Sequence, residues 1–429
     1  MKMLILSNTA WDNNNSFGNS FSSIFGGMEC ISIANIYCRY GSPNNNIVRR
    51  YFQITEKSLL QNLINKKIPS GKKINANNGI ELNSKETNIF DYARKNRSII
   101  FFWVRDLIWK IGDWKSKELL EFINEFEPDI IFQPIYYSSY LNDIVYFIKQ
   151  YTDVPMIGYV SDDVYTMRQF SLSPLYWIDR LIKRKKIKRT VSLCEYLYVI
   201  SNIQKEEYEK CFKKECKLLW KGAQFESKPP RKQISKLIKF VYTGNIGDGR
   251  YKQLALIGKA ILELNKTEIN AELDIYTLTP LSKKIKKALN LSGAINLKGG
   301  IPAEEVRNVQ NAADILVHVE SFDLKNRLAV HQSFSTKIVD YLSMAKCVLA
   351  VGPADVASID YLVKNDAAIV ATSKKEIEDN IRMLIEHTET IEQYGEKAWE
   401  CGRRNHDIKI IQSGLMNDLE RISNENNSN

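Results

Sequence analysis

Residues 333–352, SFSTKIVDYLSMAKCVLAVG, set two hydroxyls (Ser335, Thr336), a cation (Lys337) and an acid (Asp340) ahead of an apolar run. The hydroxyls are good helix starters. A lysine in the first turn opposes the helix dipole unless an anion neutralises it, and the backbone N–H groups of a helix start themselves bind anions. Asp340 lies one turn further on, beside Tyr341 and Leu342, where it suits a polar neutral group. The arrangement fits a phosphate at the helix start and a hydroxyl-rich group next to it. His331 and Gln332, just upstream, have the chemistry to touch a sugar.

Three other stretches carry reactive types. FVYTGNIGDGRYKQL (240–254) runs from a strand into a loop with Gly244, Asn245, Gly247 and Gly249, then Arg250 and Lys252. Glycines let N–H groups approach a phosphate and the cations neutralise it; an ordinary tight turn with solvated cations is the competing reading. The spacing is neither G-x-G-x-x-G nor G-x-x-x-x-G-K-[ST], so neither the dinucleotide fingerprint nor a P-loop is present. LKGGIPAEEV (297–306) leaves room at Gly300 and Ile301 for a flat group beside the backbone, or is a plain strand–helix turn. GYVSDDVYTM ends a strand on Asp162 and Asp163, which suit a base or a polarising pair for an acceptor hydroxyl, or a helix cap.

These stretches need elements to position them. At 429 residues the chain exceeds a single core, and 44% apolar content fills two. The apolar strand MLILS, then CISIANIYC, RRYFQIT, DIIFQPI, PMIGYV and YLYVIS, alternate with helical stretches, including one from about 88 to 111; residues 66–86 read as a mobile loop. The polar segment AQFESKPPRKQISK interrupts the rhythm. KFVYTG, ELDIYT, INLKGG, DILVHV, CVLAVG and AAIVAT then resume it. The fold class is therefore α/β, with two doubly wound parallel sheets facing a central cleft. The expected division is a first domain over 1–222, a linker over 223–237, a second domain over 238–395 and a helical segment over 396–429 that returns to the first domain.

The net charge of +10 favours anionic partners: phosphates, anionic lipid or nucleic acid. Seven scattered cysteines, without a CxxC pair, argue against a disulfide framework or a zinc site and for a reducing compartment. The N-terminal apolar stretch is too short for a signal peptide, and no run approaches a membrane span. Residues 175–189 hold seven basic residues and one acid, with Leu175, Ile178 and Ile182 on one helical face near Trp177. With the aromatic stretch 101–114, they suit an anionic membrane surface. Nucleic acid is disfavoured because no recognition motif accompanies the cations.

Arg250 and Lys252 after a glycine loop, then KGGIP, then SFSTKIVDYL…VLAVG, resemble the donor half of GT-B glycosyltransferases, especially retaining family 4 of bacterial surface-polysaccharide synthesis. The resemblance covers about 240–375; the first domain is similar only in its strand–helix rhythm. It implies a transferase that moves a sugar, with retention, from a nucleotide-diphosphate donor (UDP- or GDP-sugar) to a saccharide acceptor on a polyprenyl diphosphate, at the cytoplasmic face of the membrane, with no cofactor and no metal. It implies that Arg250, Lys252 and Lys337 meet the diphosphate, with Gly244, Asn245, Ser335 and Thr336 around it. Gly300 and Ile301 would meet the base and Asp340 the ribose. Gly18 and Asn19 stand where the family carries paired glycines near the donor phosphates, and Asp163 stands on the acceptor side. The family pattern has two glutamates with seven residues between them; here the second is Asp340 and the first falls on Gln332, which hydrogen-bonds without charge. The alternatives are a sugar-nucleotide epimerase of the same shape and a non-catalytic binder of anionic lipid or nucleic acid.

Overall fold

A computed structural model describes residues 1–75, 99–228, 233–266 and 270–427. The first half runs β1 (Lys2–Ser7), α1 (Ser16–Phe25), β2 (Ser32–Tyr37), β3 (Arg50–Ile54), α2 (Glu56–Ile64) and β4 (Gly71–Asn75). It continues with α3 (Ile99–Ile111), α4 (Lys117–Phe126), β5 (Ile130–Pro134), α5 (Ser139–Thr152), β6 (Met156–Val160), α6 (Pro174–Ser192), β7 (Leu197–Val199), α7 (Asn202–Phe212) and β8 (Cys216–Leu218). The strands form one sheet in the order β4-β3-β2-β1-β5-β6-β7-β8. All pair in parallel except β4, which runs antiparallel on β3. β4 corrects the reading of 66–86 as a loop throughout: Gly71 fits there because a Cβ would stand 2.4 Å from the Phe52 ring. Residues 88–98 of the expected helix lie outside the described residues.

The second half comprises β9 (Ile238–Thr243), α8 (Arg250–Leu264), β10 (Ala271–Tyr276), α9 (Lys283–Leu289), β11 (Ile295–Gly299), α10 (Ala303–Ala312), β12 (Ile315–Val319), α11 (Leu324–Val330), α12 (Thr336–Ser343), β13 (Cys347–Val351), α13 (Ala357–Lys364), β14 (Ile369–Ala371), α14 (Lys374–Glu386), α15 (Glu389–His406) and α16 (Ile408–Asn427). Its six strands lie in the order β11-β10-β9-β12-β13-β14, all parallel. Central strands such as β12 and β13 are buried along their whole length. This is why they read as continuous apolar runs rather than alternating ones: helices cover both faces.

The chain order reverses at β1/β5 in the first sheet and at β9/β12 in the second, and ligands of such sheets bind beyond the strand ends at these points. The boundary expected at 395/396 falls inside α15. The chain crosses back at Asp407, where Ala223 N–H donates to His406 O at 2.9 Å and Ile408 N–H donates to Ala223 O at 2.9 Å. Beyond it α16 lies on the first domain: Gln412 donates to Ile24 O and Gly26 O at 2.9 and 2.7 Å, and Tyr198 donates to Asp418 at 2.7 Å. Phe334, Tyr361, Trp399 and Leu415 belong to a buried apolar cluster continuous with Met3 and Phe132 of the first sheet.

Candidate functional site at the domain cleft

At the switch point of the second sheet, the ends of β9 and β12 bring together Gly244, Arg250, His318, Glu320 and Lys337. The loop after β9 turns through Gly249, in a left-handed conformation (φ 81°), and α8 begins directly at Arg250. Arg250 is held by Glu320, with Nε and Nη2 at 3.2 and 2.9 Å from Oε2. Lys337, in the first turn of α12, reaches back over β9 and donates to Thr243 O at 2.7 Å. Its ammonium occupies the space a side chain at residue 244 would need: a Cβ there would stand 1.8 Å from Nζ, and φ at Gly244 is 137°. The glycine serves this close approach.

The electrostatics follow from burial. Burial first, and Arg250 second, push the Lys337 ammonium down to about 8. Burial raises the Glu320 carboxyl above its usual range, against the opposing pull of Arg250. His318 is pushed down to about 3 by burial, then by Lys337 and Arg250. It is therefore neutral, and its Nε2, 3.7 Å from Glu320, has no hydrogen-bond partner. Two cations crowd one place with one deeply buried acid between them. Such a site gains most from an entering anion.

Arg250 and Lys252 have separate partners. They are two residues apart on a helix and so leave it on different sides. Lys252 pairs instead with Asp323 at 2.6 Å, half-exposed at the rim. Ser335 stands at the helix cap, but among the described residues its hydroxyl makes no cap bond to α12; its own N–H goes to Ser358 at 2.9 Å. Asp340 shares the face of Lys337, three residues on, and pairs with Lys221 at 2.8 Å, half-exposed. Asn245 is exposed and its Oδ1 accepts from Gly247 N–H and Thr279 Oγ1. Gly300 lies under the exposed Leu278, whose Cδ2 would be 2.1 Å from a Cβ at 300. The flat slot expected beside Gly300 and Ile301 therefore has a flexible apolar cover.

In the first domain, Asn15 caps α1 by accepting from Gly18 N–H at 2.8 Å, and Gly18 packs on the Asp12 backbone, where a Cβ would stand 2.1 Å from its carbonyl oxygen. That N–H is committed to the cap, and Asn19 N–H likewise bonds to Asn15 O. Asp163 is engaged within its own loop. Its carboxylate accepts from the N–H groups of Tyr165 and Thr166 at 3.0 and 2.7 Å, from the Thr166 hydroxyl, and pairs with buried Arg180. These contacts hold its own loop together. Asp162 faces the second domain and accepts from Ser333 Oγ at 3.2 Å. Desolvation of its carboxyl raises it above its usual range, with the Ser333 bond opposing and the neighbouring Asp163 adding to the effect.

The basic helix α6 is also less of a cationic surface than its sequence suggests. Lys183 is buried against Asp179 at 2.7 Å, and Lys186 and Arg189 pair with Asp143. The apolar residues expected to anchor it, Leu175, Ile178 and Ile182, are exposed together with Leu181, as are Ile100, Phe101, Val104, Leu107 and Ile111 along α3. The two helices touch: Trp103 donates to Asp179 at 3.1 Å. Among the described residues no helix is long and apolar enough to cross a membrane, and no cluster of three His, Cys, Asp or Glu could hold a metal.

No family model matches the chain, and no curated relative matches it. Solved structures do. HepE of Anabaena, in complex with UDP, is similar at a TM-score of 0.63 over 98% of this chain and 100% of its own, with 10% identity. Sucrose-phosphate synthase of Thermosynechococcus elongatus gives 0.62 over 98% of each chain at 11% identity. A UDP-forming α,α-trehalose-phosphate synthase of Burkholderia vietnamiensis gives 0.59 over 98% and 100% at 8% identity. The likeness spans several kinds of synthase and does not single out one family among them. What these neighbours and the two switch-point sheets establish is the architecture: the chain has the GT-B fold of nucleotide-sugar glycosyltransferases, two Rossmann-like domains about a cleft.

Proposed function

We propose that the protein is a retaining glycosyltransferase that moves a sugar from a nucleoside-diphosphate sugar to a saccharide acceptor carried on a polyprenyl diphosphate, in surface-polysaccharide synthesis at the cytoplasmic membrane face. The observation that carries this is the meeting of Arg250, held on Glu320, and half-buried Lys337, reaching back to Thr243 O, beyond the ends of β9 and β12 at the switch point of the second sheet. There they take up the charge of the leaving diphosphate, the largest contribution a cationic site makes to such a reaction. Lys252 screens it from the rim. Gly244 and Asn245 line its approach, Thr336 stands at the helix start, Gly300 and Ile301 flank the base, and Asp340 exchanges Lys221 for the ribose hydroxyls. Asp162, rather than Asp163, polarises the acceptor hydroxyl. Uracil is the first base to try, since HepE is found in complex with UDP and with UDP-glucose.

The test is nucleoside-diphosphate release from a panel of UDP- and GDP-sugars, with and without a polyprenyl-diphosphate saccharide. Release that requires the acceptor is the expected result. Donor consumed without acceptor supports an epimerase or hydrolase, and no donor consumed under either condition removes the reading.

The acceptor's lipid is supported by the apolar faces of α3 and α6, flanked by exposed Lys110, Lys115, Lys185 and Lys188. Each cation near an anionic surface contributes about 1 kcal/mol and fades with salt. The protein is therefore expected to sediment with anionic vesicles at low salt and not with neutral ones. Val104→Glu combined with Leu181→Glu should abolish this while donor turnover on a water-soluble acceptor persists. A double variant that sediments like the wild type excludes this surface.

A further inference from the structure

The first domain grips the second at a polar cluster in the cleft. Glu207, on α7, accepts through Oε2 from Gln332 Nε2 at 2.5 Å and pairs through Oε1 with Arg168 Nη1 at 2.9 Å. The same Arg168 nitrogen lies 2.8 Å from His331 Nε2. An arginine cannot accept, so the imidazole nitrogen is the acceptor in that contact; the same nitrogen lies 3.3 Å from Glu207 Oε1, so Glu207, Arg168 and His331 form one cluster. Ser201 Oγ donates to Gln332 O at 2.7 Å, and Ser333 Oγ to Asp162 at 3.2 Å.

Every one of these groups sits beyond the carboxyl end of a strand. Asp162 and Arg168 follow β6, Ser201 and Glu207 follow β7, and residues 331–333 lie between β12 and α12. The segment they hold ends at the start of α12, the helix that carries Lys337. Gln332 is 2% exposed, so its bond to Glu207 is made out of water, and an unmade one would not be replaced by solvent. The residue type also matters. An amide at 332 donates to Glu207 without bringing a second negative charge, whereas a carboxylate there would face another at hydrogen-bond distance, and the two could not both ionise.

We propose that Glu207 is a positioning residue for donor binding. Through its bond to Gln332 it fixes, from the first domain, the loop that aims Lys337 at the diphosphate, so the anion site is complete only when the domains are closed on this pair. The proposal rests on the donor reading above, and its test separates the two.

Three variants are compared with the wild type: Gln332→Glu, Glu207→Gln and the double swap Q332E/E207Q. The readouts are amide hydrogen exchange across residues 331–343 without ligand, and donor KM and kcat. Q332E should lose exchange protection over this segment and raise donor KM by about tenfold or more with a smaller loss in kcat. E207Q alone should be milder, because two amides can still pair. The swap reverses donor and acceptor and should restore both readouts to within about threefold of the wild type, the non-additivity expected of residues in direct contact. A swap as impaired as Q332E, or a Q332E protein indistinguishable from the wild type, overturns the pairing. Should the wild type turn over no nucleotide sugar, the donor reading fails by itself, and the exchange readout still decides whether the pair fixes the loop.

Discussion

Arg250→Ala, made in a protein that also carries Glu320→Gln, is expected to lower donor kcat/KM by about 10²–10³, the loss that follows removal of one preorganised charge-stabilising group. The second substitution is needed for a clean reading. Glu320 is 5% exposed and Arg250 is its partner. Removing the arginine alone strands a buried carboxylate and should destabilise the fold by about 3–5 kcal/mol. The single Arg250→Ala variant should therefore show both a lowered melting temperature and lost turnover. In the double variant the melting temperature should recover and the turnover should not. Steady-state kinetics and thermal melts on the same preparations check both. A double variant with wild-type turnover would remove Arg250 from the diphosphate site.

Lys337 gives the second large effect, with a pH signature. Lys337→Met should weaken nucleoside-diphosphate binding by about 10²-fold, in line with the loss of a charged partner at a dry site. In the wild type the ammonium is already depressed to about 8, so affinity should decline as pH rises through that value and the charge is lost. A bound diphosphate favours the charged form, so the complex should lose its proton at higher pH than the free protein. The effect on stability has the opposite sign. Between about 8 and the ordinary lysine range near 10.4, the unfolded chain holds a proton that the folded one has released. Unfolding free energy from this group therefore rises with pH across that window and is flat below it. In Lys337→Met both slopes should vanish. Affinity that falls identically in wild type and variant would assign the pH dependence elsewhere.

The architecture was legible because its strands are buried on both faces and so spell themselves out as short apolar runs, with glycines where the chain must turn. The start of α12 was legible for a local reason: Ser335, Thr336, Lys337 and Asp340 lie within two turns, and one helix fixes their relation. What the sequence did not show was partnership at a distance. Arg250 and Lys252 look like a pair until α8 begins at Arg250 and sends them to Glu320 and Asp323. The cations of α6 look like a surface until Asp143 and Asp179 take three of them. Asp163 looks as free as Asp162 until Arg180, seventeen residues on, closes over it. Glu207 carried no signal at all, lying in the polar run EEYEK of an ordinary helix. His318 did carry one, a single polar residue inside ILVHV, and it lies buried 3.7 Å from Glu320.

The claim that matters most is that the cleft face of the second domain binds a nucleoside diphosphate at Arg250 and Lys337. Calorimetric titration of the wild type with UDP and with GDP near pH 7, where Lys337 is charged, reaches it most directly, with thermal melts in parallel. At a ligand concentration 100 times the dissociation constant, stabilisation of about 2.7 kcal/mol is expected. The account predicts saturable one-site binding of at least one of the two nucleotides, lost in Lys337→Met and in the Arg250→Ala, Glu320→Gln protein. Absence of binding by either nucleotide, or binding that both variants retain in full, would contradict it.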